Sequence, residues 1–180
     1  MSEFHGTTIL AVRYNGRTAM AADGQVTAGD VVVKSNVRKI KTFLDGAVLA
    51  GFAGSVADAT ALQDFFEKRI KATKDMEKAA VALAKEWRMN KVYSRLNAEL
   101  LLADKDEIIL LGSGGDVIAA EGSTLAIGSG GQYALAASRA YLRMKDEHFT
   151  AIEIARNSLQ IASEICIYTN SNIIVEEVNV

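Results

Sequence analysis

The first residues of the chain form two apolar runs separated by a turn signal. Residues 7–14 and 17–22 are apolar at most positions, and Asn15-Gly16 stands between them. Asn-Gly supplies the positive φ angles of a two-residue turn, so the pattern predicts a β-hairpin. A strand without alternation of apolar and polar residues is covered on both faces. The hairpin therefore indicates a sheet that lies between two other layers.

Further strands are predicted close behind the hairpin. Val31-Val32-Val33 indicates a short strand, and residues 37–43 alternate with period two. Asp45-Gly46 is a turn signal, and residues 47–54 form another apolar run that ends in glycine. Strands joined by such short connections pair antiparallel.

The hydrophobic period changes to that of a helix after residue 54. Ser55 and Asp58 form a capping-box pattern in front of apolar residues at helical spacing up to residue 70. A second helix is predicted from about residue 75 to residue 95, with Trp87 on its apolar face. These two helices should cover one face of the sheet.

A second set of strands and helices follows. Strands are predicted over residues 98–103, 107–111, 116–120, 124–127 and 172–178. A third helix follows the glycine-rich turn 128–131, and Thr150 with Glu153 predicts the start of a fourth. The apolar stripe of the third helix is predicted to consist of Tyr133, Ala136, Ala137, Ala140, Tyr141 and Met144.

The order of elements indicates the fold class. Strands, two helices, strands, two helices and one strand lack the regular alternation of a parallel α/β protein. Two antiparallel sheets packed face to face, with a helix pair on each outer side, would bury both faces of the strands and one face of each helix. We therefore predict an α+β fold, a four-layer αββα sandwich, with a single domain over residues 7–180.

Composition excludes several classes of function. The 180 residues are 49% hydrophobic and 23% charged, and the net charge of -2 leaves no basic block for nucleic acid or an anionic membrane. No secretory signal and no membrane-spanning run is present, and the one cysteine, Cys166, fits a reducing compartment. We expect a cytoplasmic protein. His5 and His148 are the only histidines, which is little material for a zinc site or a His-based triad.

Thr7 is the candidate nucleophile. A threonine hydroxyl needs an adjacent base, and the α-amine of a chain-terminal threonine can serve as one. The α-amine has a pKa of about 7.7 to 8.0, so part of it is neutral near physiological pH. Residues 1–6 would then be a propeptide whose removal creates nucleophile and base together. Two alternatives stay open: Thr7 as ordinary strand material, and Ser2, exposed by loss of Met1, as the nucleophile.

Four further residues could assist a terminal threonine. Lys39 beside the amine would lower its pKa by charge repulsion, and Asp23 would orient and neutralise that lysine. A glycine at a strand end allows close approach, so Gly51 could supply an oxyanion N–H, and Ser129 could hydrogen-bond the amine. Asp23 as a turn residue and Lys39 as a surface cation are the simpler explanations. The turn 128–131 matches neither common nucleotide-binding glycine pattern.

The sequence resembles the HslV family of bacterial, proteasome-related peptidases over essentially its whole length. The resemblance rests on residues 6–9, 23–27, 48–59, 82–88, 126–131 and 164–170. It implies an N-terminal-nucleophile hydrolase that is a threonine-type endopeptidase. It also implies a homododecamer of two stacked hexameric rings, activated allosterically by an HslU-type AAA+ ATPase hexamer that delivers unfolded proteins. This chain has no P-loop, so no nucleotide is expected on it.

The family also implies roles for individual residues. Thr7 would be the nucleophile, Asp23 and Lys39 its supporting pair, and Gly51 an oxyanion donor. A structural sodium ion would bind backbone oxygens near the end of the last helix, at Ser163, Cys166 and Thr169, although the family usually has glycine at position 163. Two other functions remain open: a structural ring subunit that never matures, and an amidase of the same class that acts on small molecules.

Overall fold

The computed structural model describes residues 4–91, 93, 96–112, 114–144 and 148–179. Its strands are β1 Phe4–His5, β2 Thr8–Tyr14, β3 Arg17–Ala22, β4 Val26–Ala28, β5 Val31–Lys34, β6 Ile40–Phe43, β7 Val48–Gly54, β8 Ala98–Ala103, β9 Ile108–Gly112, β10 Asp116–Ala119, β11 Thr124–Gly128 and β12 Ile174–Glu177. Its helices are α1 Val56–Thr73, α2 Met76–Met89, α3 Gly131–Met144 and α4 Ala151–Ile165, and a 3-10 turn spans Leu44–Gly46.

The strands form two large antiparallel sheets and one small one. The first large sheet has the order β10-β9-β8-β7-β6, and the second has the order β11-β2-β3-β12. The small sheet, β1-β4-β5, places the N-terminal residues of the described chain against β4. The hairpin of β2 and β3 is confirmed: Tyr14 pairs with Arg17, and Asn15 and Gly16 have φ angles of 48° and 73°.

Three apolar clusters separate four layers. Phe66, Leu83 and Trp87 of α1 and α2 pack on one face of the five-stranded sheet. Ile9 of β2 and Leu101 of β8 belong to a second cluster between the two sheets, and a third joins α3 and α4 to the four-stranded sheet. The predicted αββα sandwich is therefore confirmed. Hydrophobic burial on both faces of each sheet is the main stabilising contribution.

Two details of the helices differ from the sequence prediction. The Ser55 side chain makes no capping hydrogen bond, and Asp58 instead accepts the backbone N–H of Asn97 at 3.1 Å. The predicted stripe of α3 is largely wrong. Its buried residues are Gly131, Ala134 and Ser138, whereas Tyr133 and Met144 are exposed. Small side chains let α3 approach the sheet closely, and a pattern based on hydrophobicity alone does not detect such a face.

The start of α4 agrees with the prediction, whereas the end of α2 does not. Thr150 and Glu153 form a complete capping box at the start of α4. Helix α2 ends at Met89, before the predicted end near residue 95, and residues 92, 94 and 95 of the predicted helix lie outside the described residues. No helix in the described part of the chain is both long and apolar enough to cross a lipid bilayer.

Candidate active site

Thr7 lies directly before the first residue of β2. It is half-buried, and its Oγ1 donates a hydrogen bond to the carbonyl of Gly6 at 2.7 Å. The backbone N–H of Ser129 donates to the carbonyl of Thr7 at 2.9 Å. The hydroxyl therefore rests against the peptide group that precedes it, and the threonine backbone is held by the turn before α3.

Gly128 makes the close approach of that turn possible. Its φ angle is +84°, a conformation that side chains of L residues rarely adopt. A Cβ at this position would collide with the carbonyl of Thr7. Only glycine therefore lets the end of β11 pass next to Thr7.

Asp23 and Lys39 form a buried ion pair beside Thr7. Lys39 Nζ lies 2.7 Å from Asp23 Oδ1, and the two side chains are 5% and 0% exposed. Asp23 also accepts the backbone N–H of Thr8 at 2.8 Å and that of Gln25 at 2.9 Å. A buried charge is tolerated when it is paired and hydrogen-bonded, and both conditions hold here.

The ammonium group of Lys39 reaches the peptide bond in front of Thr7. Its Nζ donates to the carbonyl of Gly6 at 3.0 Å and to that of Gln25 at 2.7 Å. Burial lowers the pKa of Lys39, and the charge of Asp23 opposes that shift. An ammonium group in contact with the carbonyl of Gly6 would disfavour a positive charge on the nitrogen of Thr7, were that nitrogen a free amine.

The site is connected to the turn that follows α4. The hydroxyls of Thr8 and Thr169 lie 2.6 Å apart, and the backbone N–H of Gly130 donates to Thr8 Oγ1 at 2.9 Å. The side-chain amide of Gln25 donates to the carbonyl of Ile167 at 2.9 Å. The residues around Thr7 are thus braced by a segment about 160 positions away in the sequence.

The three predicted sodium ligands lie in and just after the last turn of α4. Cys166 caps the helix, and its carbonyl accepts the N–H of Thr169 at 3.0 Å. Ser163 stands within the last turn, where carbonyl groups lack an intrahelical donor. Within the described residues, no group of three or more His, Cys, Asp or Glu side chains could hold a metal ion. A cation at this turn would therefore depend on backbone oxygens, which suit a hard ion.

The other predicted site residues do not place a side chain against Thr7. Ser129 contacts Thr7 through its backbone. Gly51 lies inside β7, paired with Ile40 and Leu101, and not at a strand end as predicted. It is buried and lines neither of the cavities beside Thr7. Its role as an oxyanion donor stays a prediction. Ser2 lies outside the described residues.

Two cavities flank Thr7. The first, which we call the Val26 cavity, has a volume of about 160 Å³ and is lined by Thr7, Val26, Val37, Lys39, Lys41 and Phe52 among others. The second, the Glu99 cavity, has a volume of about 230 Å³ and is lined by Gly6, Thr7, Gly54, Asn97, Glu99 and Ser129 among others. Sequence reasoning missed Glu99. The detectable signal was a lone carboxylate at the start of the apolar strand β8.

Comparison with known proteins gives a consistent result. A family model described as "Proteasome subunit" matches residues 3–178. The chain is 52% identical to the ATP-dependent protease subunit HslV of Geobacillus kaustophilus and 51% identical to that of Bacillus cytotoxicus, and each alignment covers 98% of this chain and 99% of the relative.

Solved structures agree with the sequence matches. The crystal structure of eukaryotic HslV from Trypanosoma brucei superposes with a TM-score of 0.87 at 38% identity, covering 94% of this chain and 98% of that one. Thiobacillus denitrificans BPH has the same fold, with a TM-score of 0.74 at 22% identity over 96% of this chain and 97% of its own. Taken with the position of Thr7 in the fold, these matches establish that the chain belongs to the HslV family of proteasome subunits.

Proposed function

We propose that this chain is the peptidase subunit of an ATP-dependent protease and that Thr7 is its nucleophile once residues 1–6 have been removed. The observation that carries the proposal is the contact of Lys39 Nζ with the carbonyl of Gly6, 3.0 Å away, while Thr7 Oγ1 lies 2.7 Å from the same oxygen. Cutting the bond after Gly6 releases an α-amine at a position that Lys39 and Asp23 already surround.

The proposed reaction is an acyl transfer in two steps. The Thr7 hydroxyl attacks a peptide carbonyl of the substrate, and the neutral α-amine of Thr7 accepts the hydroxyl proton. The carbon-nitrogen bond of the substrate breaks, the amine product leaves with a proton, and an ester to Thr7 remains. Water then hydrolyses the ester and regenerates the hydroxyl.

Each neighbouring residue has a defined part in this scheme. The charge of Lys39 lowers the pKa of the new amine, so that more of it is in the basic form at neutral pH. Asp23 fixes the position of Lys39, and the N–H of Ser129 holds the carbonyl of Thr7. Gly51 is proposed as the N–H donor to the oxyanion.

Membership of the family supports a proposal for the assembly and its partner. The relatives are named ATP-dependent, whereas this chain carries no P-loop, so the ATP chemistry belongs to a second protein. We assign that role to an HslU-type ATPase hexamer that delivers unfolded proteins to a homododecamer of two stacked hexameric rings. The proposed compartment is the cytoplasm, in keeping with a single cysteine.

A structural sodium ion is proposed at the turn after α4. The carbonyl groups of Ser163, Cys166 and Thr169 would hold it, and it would fix the turn whose Thr169 hydroxyl contacts Thr8. The ion supplies charge to the turn and takes no part in proton transfer.

The test uses the assembled protein with the partner ATPase, ATP and an unfolded protein substrate. Thr7→Ala should assemble normally and lose hydrolysis, Thr7→Ser should retain part of it because hydroxyl and amine remain, and Ser2→Ala should behave as the wild type. Loss of activity in Ser2→Ala with retention in Thr7→Ala would transfer the role to Ser2. A wild-type protein that hydrolyses nothing and keeps residues 1–6 would be a structural subunit, and one that hydrolyses only small amides and gains nothing from the ATPase would be an amidase.

A further inference from the structure

Glu99 places a carboxylate next to Thr7 that the proposed reaction does not use. Along β8, Leu100 and Leu102 pack toward α1 and α2, whereas Leu101 and Ala103 pack between the two sheets. Side chains alternate along a strand, so Glu99 shares the face of Leu101 and Ala103. The carboxylate therefore enters the space between the sheets at the end where Thr7 lies.

The carboxylate keeps most of its capacity to accept hydrogen bonds. Its Oε2 accepts the backbone N–H of Gly128 at 3.1 Å, a bond that crosses from one large sheet to the other. That is the one partner recorded for this side chain within the described part of the chain. A carboxylate has about four acceptor positions, so a cationic or amide group that entered the Glu99 cavity would find acceptors free.

The leader residues indicate which side of a substrate enters each cavity. β1 precedes Thr7 and pairs antiparallel with β4, Phe4 with Ala28 and His5 with Thr27. When the leader is removed, the edge of β4 can bind a substrate strand in the same direction, by strand addition. The residues before the cleaved bond would then follow β4, which contributes Val26 to the Val26 cavity. The residue after the bond would continue past Thr7 into the Glu99 cavity, which contains no residue of β4 and, of the leader, only the backbone of Gly6.

The charges of the two cavities are opposite. Lys39 and Lys41 line the Val26 cavity together with Arg38, whereas Glu99 is the ionisable side chain that lines the Glu99 cavity among the described residues. We propose that Glu99 makes this protease prefer a lysine or arginine directly after the cleaved bond. The inference rests on the proposed function, because it names a specificity of the same Thr7 site.

The experiment measures kcat/KM for internally quenched peptides that are identical except at the residue after the cleaved bond. That residue is lysine, norleucine or glutamate, and mass spectrometry of the products verifies the position of the cut. Norleucine matches the lysine chain without its charge. We expect the mature assembled wild type to favour lysine over norleucine by about threefold to fivefold, the size of a partly exposed ion pair. High salt should reduce this ratio.

Two variants of Glu99 test whether its charge causes the preference for lysine. Glu99→Gln keeps an oxygen that can accept the Gly128 N–H, and its lysine to norleucine ratio should fall to about one. Glu99→Lys should invert the order and make the glutamate peptide the best of the three. Glu121→Gln, a change of the same kind on the exposed turn before β11, should keep the wild-type ratio. Because each ratio is taken within one variant, a general loss of activity does not alter it.

The outcomes separate the inference from the function on which it rests. Cleavage of all three peptides at equal rates by the wild type, or an unchanged ratio in Glu99→Gln, overturns the role of Glu99 and leaves Thr7 as the nucleophile. A mature wild type that cleaves none of the peptides, with or without the ATPase, overturns the proposed function and this inference with it.

Discussion

The two ends of the sheet sandwich each contain a short lysine-aspartate pair, and the pairs differ in burial rather than in distance. At the Thr7 end, Lys39 and Asp23 are 2.7 Å apart and 5% and 0% exposed. At the opposite end, after β8, Lys105 and Asp106 are 2.8 Å apart and 61% and 71% exposed. Water screens the second pair and is excluded from the first. Distance alone therefore does not indicate what an ion pair contributes.

The two pairs also differ in how well their charges are compensated by neighbouring groups. Asp23 accepts backbone N–H groups of Thr8 and Gln25 in addition to Lys39, so its charge is fully hydrogen-bonded. At the far end, acids lie close to one another, and the pKa of Glu107 is raised by burial and then by the charge of Asp104. The Thr7 end thus holds its charges in fixed positions by hydrogen bonds, whereas the far end carries charges that the fold could lose.

The largest predicted difference in stability comes from neutralising the aspartate of each pair. Asp23→Asn leaves the ammonium of Lys39 buried without a counter-charge and should reduce the free energy of unfolding by about 3 to 5 kcal/mol. Asp106→Asn should change it by less than about 0.5 kcal/mol. Chemical denaturation at one fixed protein concentration measures both, because assembly contributes to apparent stability.

Equal effects of these two substitutions would contradict the comparison. It would mean that water reaches the Asp23 pair, and that Lys39 is not held beside the Thr7 nitrogen in the way proposed.

A smaller effect on stability, with a large effect on activity, is predicted for a pair of glycines. Gly128 and Gly16 have φ angles of +84° and +73°. A Cβ added at Gly128 would collide with the carbonyl of Thr7, whereas a Cβ added at Gly16 would have no neighbour within 4 Å. Alanine at either position should cost about 1 to 2 kcal/mol for the left-handed backbone. Gly128→Ala should also displace Thr7 and reduce kcat at least about tenfold, and Gly16→Ala should leave kcat unchanged.

Peptide hydrolysis measured beside thermal unfolding separates the two contributions. If Gly128→Ala lost stability and kept full activity, the position of the Thr7 carbonyl would not matter for the reaction.

The smallest predicted effect concerns pH at the far end. The pKa of Glu107 is raised in the folded state, so between its ordinary value of 4.5 and the raised value the folded chain binds more protons than the unfolded chain. Stability from this group is therefore full below pH 4.5 and is lost as the pH rises through the folded pKa. Solvent screens this partly exposed carboxylate, so Glu107→Gln should stabilise only slightly at pH 7, by less than about 0.5 kcal/mol, and not below pH 4. Thermal unfolding at the two pH values checks this, and a gain that persisted in acid would assign the effect to packing.

The fold could be predicted well from sequence because its signals are local. Asn15-Gly16 determines a hairpin by backbone conformation alone, and Thr150 with Glu153 determines a helix start by two hydrogen bonds. The face of α3 could not be predicted, because Ala134 and Ser138 carry little hydrophobic signal and are buried by close approach to the sheet. The capping box predicted at Ser55 and Asp58 is absent, since the Ser55 side chain caps nothing and Asp58 accepts a backbone N–H from a distant loop.

The candidate site could be predicted only in part from the sequence. Thr7, Asp23 and Lys39 were selected by the chemistry that a terminal threonine needs, and the structure brings all three together. The contacts of Glu99 with Gly128 and of Thr8 with Thr169 join residues that are far apart in the sequence. No local sequence pattern indicates such contacts. Side chains alternate along any strand, so Glu99 shares a face with Leu101 and Ala103, but both faces of β8 are apolar and the sequence does not mark the inner one.

The central claim is that nucleophile and base share one residue at the start of the mature chain. The most direct test is the intact mass of the proteolytically active assembly, measured on the same sample as its peptidase rate. The account predicts a chain that lacks residues 1–6 and begins at Thr7, with activity proportional to the fraction of such chains. Full activity in a sample whose every chain still carries Gly6 would contradict it.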